Sequence, residues 1–353
     1  MLKKSAYAIA LLGATTALAT ASDAPRARDF DFTYTAHVAE LPADAHRVDV
    51  WLPYPTSDAN QDVTVTEVTT PFKHEVVKDS KYGNSILHLS AADPKVHDFD
   101  VVMKIHVRRK EYLHNAFASL KTGAKGGRPA GVAMWLKPDR LVPLDDSVRD
   151  LAREVTRDKQ GDLAKARAIY DYVVATMAYD KTGTGWGNGD IHWACDSKRG
   201  NCTDFHALFI GLNRAVGIPA KFAIGFPLPP EHGGGDVPGY HCWAEFWLDG
   251  YGWVPVDASE ARKHPEKKDY FFGAHDENRV QFTLGRDIVL SPKQAGDPLN
   301  YFIYPYVEVD GQQYAKVSKA FHYQDQAAGE RAAAGGTNGS DRHRRIGDAP
   351  PSP

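Results

Sequence analysis

The sequence predicts an exported protein of two domains, a small β-sandwich followed by a region in which helices give way to strands. Three observations carry this reading: a leader-like amino terminus, several runs of period-two hydrophobicity between residues 28 and 112, and helical spacing that begins after Asp146.

At the amino terminus Lys3 and Lys4 precede an apolar run from Ala6 to Leu18 and the small residues Ala19, Thr20 and Ala21. This is the pattern of a cleavable secretory signal over residues 1–21, and it implies a secreted or periplasmic mature chain. The run is shorter than the roughly 20 residues a bilayer span needs, and no later segment reaches that length, so no membrane span is expected. A chain of 353 residues accommodates two domains, and a net charge of -3 offers no electrostatic footprint for nucleic acid. Neither composition nor pattern speaks to the oligomeric state.

Phe30, Phe32, Tyr34, Ala36 and Val38 alternate with polar residues, as do Val48, Val50 and Leu52, and then Phe99, Val101, Met103, Ile105 and Val107. Such runs are antiparallel strands, and residues 22–115 are predicted to form a β-sandwich that packs against the rest or positions a substrate. Val148, Leu151, Ala152 and Val155 then follow the candidate cap Asp146, and Ala166, Tyr170, Val173, Val174 and Met177 follow Asp162. Two helices are expected there. After the Gly-rich stretch from Thr182 to Asp190, a third helix is marked by Phe205, Leu208, Phe209, Leu212 and Val216, and it ends at Gly217 and Pro219. Strands return at Phe222–Phe226, Tyr240–Leu248 and Gly252–Asp257, and a hairpin of Tyr301–Val309 and Gln313–Phe321 is expected to close the fold. Residues 326–353 lack apolar periodicity and read as a disordered tail.

The chemistry concentrates where the third helix begins. Cys202 occupies its first turn, where the positive end of the helix dipole and unsatisfied amides lower a thiol pKa and offer oxyanion donors. A thiolate needs a proton acceptor, and that base needs a third group to hold its tautomer; His241 and Asp257, on one hairpin, offer both. Register decides whether they meet. A two-residue Asp249-Gly250 turn would send them to opposite faces, whereas a three-residue loop pairs Leu248 with Gly252 and puts them on one face.

Gly200-Asn201-Cys202, Gly217-Ile218-Pro219-Ala220, Tyr240-His241-Cys242-Trp243-Ala244-Glu245 and Gly252-Trp253-Val254-Pro255-Val256-Asp257 together resemble the transglutaminase-like superfamily. The resemblance covers roughly Val155 to Asp287 and implies an α+β, papain-related core, here within residues 135–323 with the closing C-terminal strands. It implies a Cys-His-Asp triad of Cys202, His241 and Asp257, and a cysteine peptidase, amidase or acyltransferase that forms an acyl-enzyme on a peptide or protein, the cell envelope being one source of substrate. Hydrolysis is favoured because water is abundant; a cross-linking transglutaminase and a catalytically silent binding or assembly module are the alternatives. Asn201 stands directly before the cysteine, unlike the animal enzymes, and no calcium-binding run is evident, so no cofactor is expected.

Around this set, Trp186 and Trp193 are candidates for an oxyanion donor or lid, and Asn201 and His206 for supporting contacts. Three cysteines in an exported chain leave at least one unpaired, and Cys195 with Cys242 is the candidate disulfide. A metal site built from His192, Cys195, His206 and Cys242 matches no zinc spacing, so no metal is predicted.

Overall fold

The computed structural model describes residues 24–117 and 128–326. The predicted leader and all but the first residue of the predicted tail lie outside the described residues.

The amino-terminal strands are β1 (Ala27–Val38), β2 (Arg47–Tyr54), β3 (Gln61–Thr69), β4 (His74–Lys78), β5 (Ser85–Ala92), β6 (Phe99–Lys110) and β7 (Tyr112–Leu113). Their alternation is expressed directly: in β1, Phe30, Phe32, Tyr34, Ala36 and Val38 are fully buried. Helices α1 (Asp146–Val155) and α2 (Asp162–Thr176) follow, then β8 (Ala178–Tyr179), α3 (Ile191–Ser197), β9 (Arg199–Gly200) and α4 (Cys202–Ala215). Asp145, one residue before the expected cap, is the residue whose side chain accepts the Val148 N–H of α1, at 3.1 Å. The chain continues as β10 (Ala220–Pro227), β11 (Gly234–Asp236), β12 (His241–Leu248), β13 (Gly252–Val256), α5 (Ala258–Lys263), β14 (Ala274–His275) and β15 (Arg279–Leu284). It closes with β16 (Tyr306–Val309), β17 (Gln312–Gln313) and β18 (Val317–Asp325).

Two five-stranded sheets, ordered β11-β18-β1-β6-β3 and β17-β16-β2-β5-β4, make the sandwich. A four-stranded antiparallel sheet, β13-β12-β10-β15, forms the second region and carries α4 on one face. The architecture is the expected α+β one with a strand-rich amino-terminal part, with one difference. The C-terminal strands do not close the helix-bearing region: β18 lies along β1 from Phe30↔Asp325 to Val38↔Val317, and β16 pairs with β2. Each sandwich sheet needs a strand that its own segment does not supply, and unpaired strand edges are costly.

The sandwich and the second sheet share one core. Phe226 of β10 lies with its ring centroid 4.3 Å from Phe321 and 5.1 Å from both Phe32 and Phe282. Truncating such a fully buried aromatic costs roughly 3–5 kcal/mol, so this contact ties β10, and β12 beside it, rigidly to the sandwich.

Candidate active site

The start of α4 is built by an Asn-Asp capping box. The Asn201 side chain accepts the Thr203 N–H at 2.8 Å, while the Asp204 carboxylate accepts the Asn201 N–H at 2.9 Å. Asp204 reaches further than a helix-dipole partner, because it also accepts the N–H groups of Gly187 and Gly189 at 2.7 and 3.0 Å. From the other side the Arg286 guanidinium donates to the carbonyls of Asn188 and Gly189, both at 2.8 Å. The Gly-rich stretch is thus clamped against the helix start. Gly200 completes the fit, since a Cβ there would come within 2.2 Å of the Asp204 carboxylate. Cys202, the first residue of α4, is 2% exposed.

The β12–β13 hairpin takes the odd register. Leu248 pairs with Gly252 and Ala244 with Val256 around a loop of Asp249, Gly250 and Tyr251, with Gly250 at φ 74°. His241 and Asp257 consequently meet: His241 Nε2 lies 2.7 Å from Asp257 Oδ2. Asp257 follows β13 directly and caps α5, its Oδ1 accepting from Glu260 N–H at 3.0 Å and from Ser259 Oγ at 3.1 Å. Arg279 Nη1 donates to Oδ2 at 2.9 Å. With Nε2 engaged by Asp257, Nδ1 is the His241 nitrogen left for the Cys202 thiol, which hydrogen-bonds the ring.

The electrostatics follow from these contacts. Burial opposes charge on all three groups, and their mutual contacts overcome it. His241 is pushed up to about 10 by the charge and hydrogen bond of Asp257 and by Cys202. Hydrogen bonds from Cys242 and His241, with the imidazolium charge, hold the Cys202 thiol well below its usual range. Asp257 sits well below the usual carboxylate range through His241 and Arg279. The arrangement favours a thiolate–imidazolium pair.

His206 has both nitrogens occupied: Nδ1 lies 2.8 Å from the Cys202 carbonyl oxygen, and Nε2 accepts the Ala258 N–H at 3.2 Å. Nδ1 therefore carries the proton, burial holds the ring below its ordinary pKa, and the histidine braces the Cys202 backbone against the start of α5. Asn201 supports the site as a cap and donates to Tyr240 Oη at 3.0 Å.

Two sequence expectations are corrected. Cys195, Cys202 and Cys242 are all free thiols. Cys242 Sγ turns toward α4, 3.7 Å from Thr203 Oγ1 and 3.8 Å from His206 Nδ1, and it hydrogen-bonds Cys202, whereas Cys195 lies on α3; docking of α4 on β12 decides that neighbourhood. Trp193 is not at the site: its indole nitrogen would lie 2.3 Å from a Cβ on Gly185, and its ring faces the Arg199 guanidinium at 5.5 Å. Trp186 does wall the cleft above Cys202, but its indole N–H donates to the Gly183 carbonyl at 3.1 Å.

The rival metal set is not assembled, because His206 is fully engaged and His192 Nε2 lies 3.0 Å from Asp145 on another surface. Among the described residues His241, Asp257 and Glu260 place one ligand atom each within 4.8 Å, yet both Asp257 oxygens and His241 Nε2 are already hydrogen-bonded, so the cluster is a hydrogen-bond network.

Sequence reasoning missed Arg279 and the cleft itself. Alternation of Val280, Phe282 and Leu284 with polar neighbours could have revealed β15 and thereby Arg279. The cleft, about 360 Å³, has Cys202 in its lining together with Tyr179, Tyr240, Tyr301 and Tyr304, with Lys181 as its cation.

Comparison with known proteins bears on the family and the fold. Residues 149–258 match the family described as the transglutaminase-like superfamily. An uncharacterized protein of Haemophilus influenzae is 29% identical over 348 residues, spanning 87% of this chain and 94% of its own. Bacillus subtilis YebA, also uncharacterized, is 26% identical over 145 residues, 36% of this chain and 20% of its own length. A candidate cysteine protease from Cytophaga hutchinsonii superposes with a TM-score of 0.54 at 18% identity, covering 85% of this chain and 98% of its own, which is a likeness of fold. The matched segment includes Cys202 and ends one residue after Asp257, and the chain carries a transglutaminase-like superfamily domain over residues 149–258.

Proposed function

We propose that this protein is an exported cysteine enzyme that cleaves a peptide or carboxamide bond through an acyl-enzyme on Cys202. The observation that carries the reading is the thiol at the start of α4, hydrogen-bonded to a histidine that Asp257 holds at 2.7 Å, in the lining of an aromatic cleft. The thiolate attacks the carbonyl carbon, and the carbonyl oxygen takes the negative charge of the tetrahedral intermediate beside the positive end of the α4 dipole. His241 then passes its Nδ1 proton to the leaving amine, and Asp257 keeps the ring oriented with Nε2–H pointing away from the reaction. Water, deprotonated by His241, resolves the acyl-enzyme. Hydrolysis is preferred over transfer to an amine because water is the abundant acceptor. The cleft's tyrosines and tryptophan favour a peptide segment with apolar or aromatic side chains.

The test is incubation with a protein digest, with and without a primary amine, followed by mass spectrometry of Cys202. Free acids as products and a trapped acyl-Cys202 are expected, and Cys202→Ala should eliminate both. Amine adducts exceeding acids would favour the cross-linking activity. Absence of any acyl-enzyme together with an unreactive Cys202 would leave a non-catalytic module.

A further inference from the structure

A second cavity, about 250 Å³, lies on the face of the β12 sheet opposite α4, between that sheet and the sandwich. The sandwich contributes Arg109 and Tyr112, and the sheet contributes Trp243, Trp253, Lys221 and Glu245. The charges of the sheet are internally satisfied: Lys221 Nζ pairs with Glu245 at 3.1 Å and lies 4.4 Å from the Trp253 ring centre. Arg109 is different. It is 2% exposed, its Nε has no hydrogen-bond partner, and Nη1 makes one long contact of 3.3 Å to Gln61 Oε1.

A guanidinium removed from water with donors left unpaired is a costly group, since buried charges are normally paired and hydrogen-bonded. Burial, with the Arg279 charge, draws Arg109 down to about 10 against the pull of the Asp58, Glu245 and Asp276 carboxylates, and among the described residues its one side-chain hydrogen bond is the long contact to Gln61. Arginine recognises planar oxyanions through parallel N–H donors, and the indoles of Trp243 and Trp253 supply a flat apolar wall beside it. We infer that this cavity binds a small organic oxyanion, a carboxylate or phosphate ester, with its charged group on Arg109 and a planar or apolar body against Trp243 and Trp253. The volume suits a body about the size of one aromatic ring plus its acid group. The site is separate from the Cys202 cleft and stands whether or not Cys202 is a nucleophile.

Benzoate and phenyl phosphate serve as probes, with benzyl alcohol as the uncharged control and inorganic phosphate as the bodiless one. Saturable binding of a probe acid, read by titration calorimetry and by quenching of tryptophan fluorescence, is expected in the full chain, with benzyl alcohol and inorganic phosphate roughly tenfold weaker or silent. Arg109→Met should weaken the acid at least about tenfold while leaving iodoacetamide labelling of Cys202 unchanged. If Arg109→Met does not fold, Ala59→Glu, on the exposed loop at the cavity's edge, supplies a competing carboxylate and should weaken binding in a folded protein. Failure of both acids to bind, or binding that neither variant weakens, would overturn the assignment. Equal binding of acid and alcohol would overturn it as well.

Discussion

Replacing Asp257 by Asn keeps the shape of the side chain and inverts one hydrogen bond. The Asn Oδ1 can still accept from Ser259 Oγ and Glu260 N–H, so the start of α5 stays capped. The new amide then occupies the position of Oδ2 and faces two donors, His241 Nε2 and Arg279 Nη1, at 2.7 and 2.9 Å. His241 can accommodate it only by accepting at Nε2, which moves the ring proton to Nδ1 and leaves the Cys202 thiol without its base. A wrong tautomer of this kind costs roughly 10⁴ in turnover in a serine triad, and a loss of that order is expected here. The structural cost is smaller. Breaking a buried ion pair destabilises by roughly 3–5 kcal/mol, but Arg279 retains Asp276 at 3.2 Å, so roughly 2 kcal/mol is expected, a fall in Tm of about 4–8 °C.

Alkylation of Cys202 by iodoacetamide at neutral pH, mapped by mass spectrometry, measures the reactivity without a known substrate, and thermal unfolding measures the stability. The double variant Asp257→Asn, Arg279→Met separates the two effects. It removes the guanidinium that faces the new amide and with it the partner of Asp276, so Tm should fall further, while Cys202 stays as slow as in the single variant. If Asp257→Asn alkylates at the wild-type rate with the wild-type pH profile, Asp257 does not control the histidine, and the proton inventory above is wrong.

Stability should depend on pH through the same groups. His241 stabilises the fold fully below about 6.5, and that contribution falls as pH rises toward about 10. Cys202, held low in the fold, adds stability as pH rises toward about 9, so the two offset one another from about 6.5 to 9 and a net loss begins only above about 9. In Cys202→Ala the offset is gone and the urea midpoint should decline from about 6.5 onward; an unchanged profile would refute the ion pair. Asp204→Ala strands three buried amides and should cost more than about 3 kcal/mol, with the Gly187 and Gly189 amides losing hydrogen-exchange protection; retained protection would mean another acceptor holds the loop. Titration of thiols in denaturant without reductant should count all three cysteines as free, and a count of one would restore the Cys195–Cys242 disulfide.

The parts of this molecule that were legible in its sequence are those whose geometry is local. Cys202 could be placed at a helix start because a cap, an acid three residues later and an apolar stripe all lie within fifteen residues of one another. The face shared by His241 and Asp257 was legible only through the chemistry assigned to them, which requires an odd loop, because side chains alternate along a strand and one residue in the turn decides the side. The C-terminal strands were read as closing the second region because alternation says that a strand exists and which face it buries, but not which edge it joins. β18 pairs with β1 nearly the whole chain away. The disulfide expectation failed similarly, since counting cysteines carries no information about which thiol a docking helix will bring near.

Buried arginines mark the sharpest limit. In a sequence a lone arginine reads as a solvated charge, yet Arg28, Arg109, Arg279 and Arg286 are all nearly inaccessible. Arg28 joins the amino-terminal strand to Asp325 and Asn278, and Arg286, just after β15, fastens the glycine loop. Arg279 holds the carboxylate that orients His241. In each case the partner is remote in sequence or becomes buried only once another element has docked, so no window of neighbouring residues contains the signal. Burial with complete pairing distinguishes the first, third and fourth as structural or positioning groups. By the same criterion Arg109, whose Nε has no hydrogen-bond partner among the described residues, stands apart, and that contrast within one protein is the reason its cavity is assigned to an anion rather than to packing.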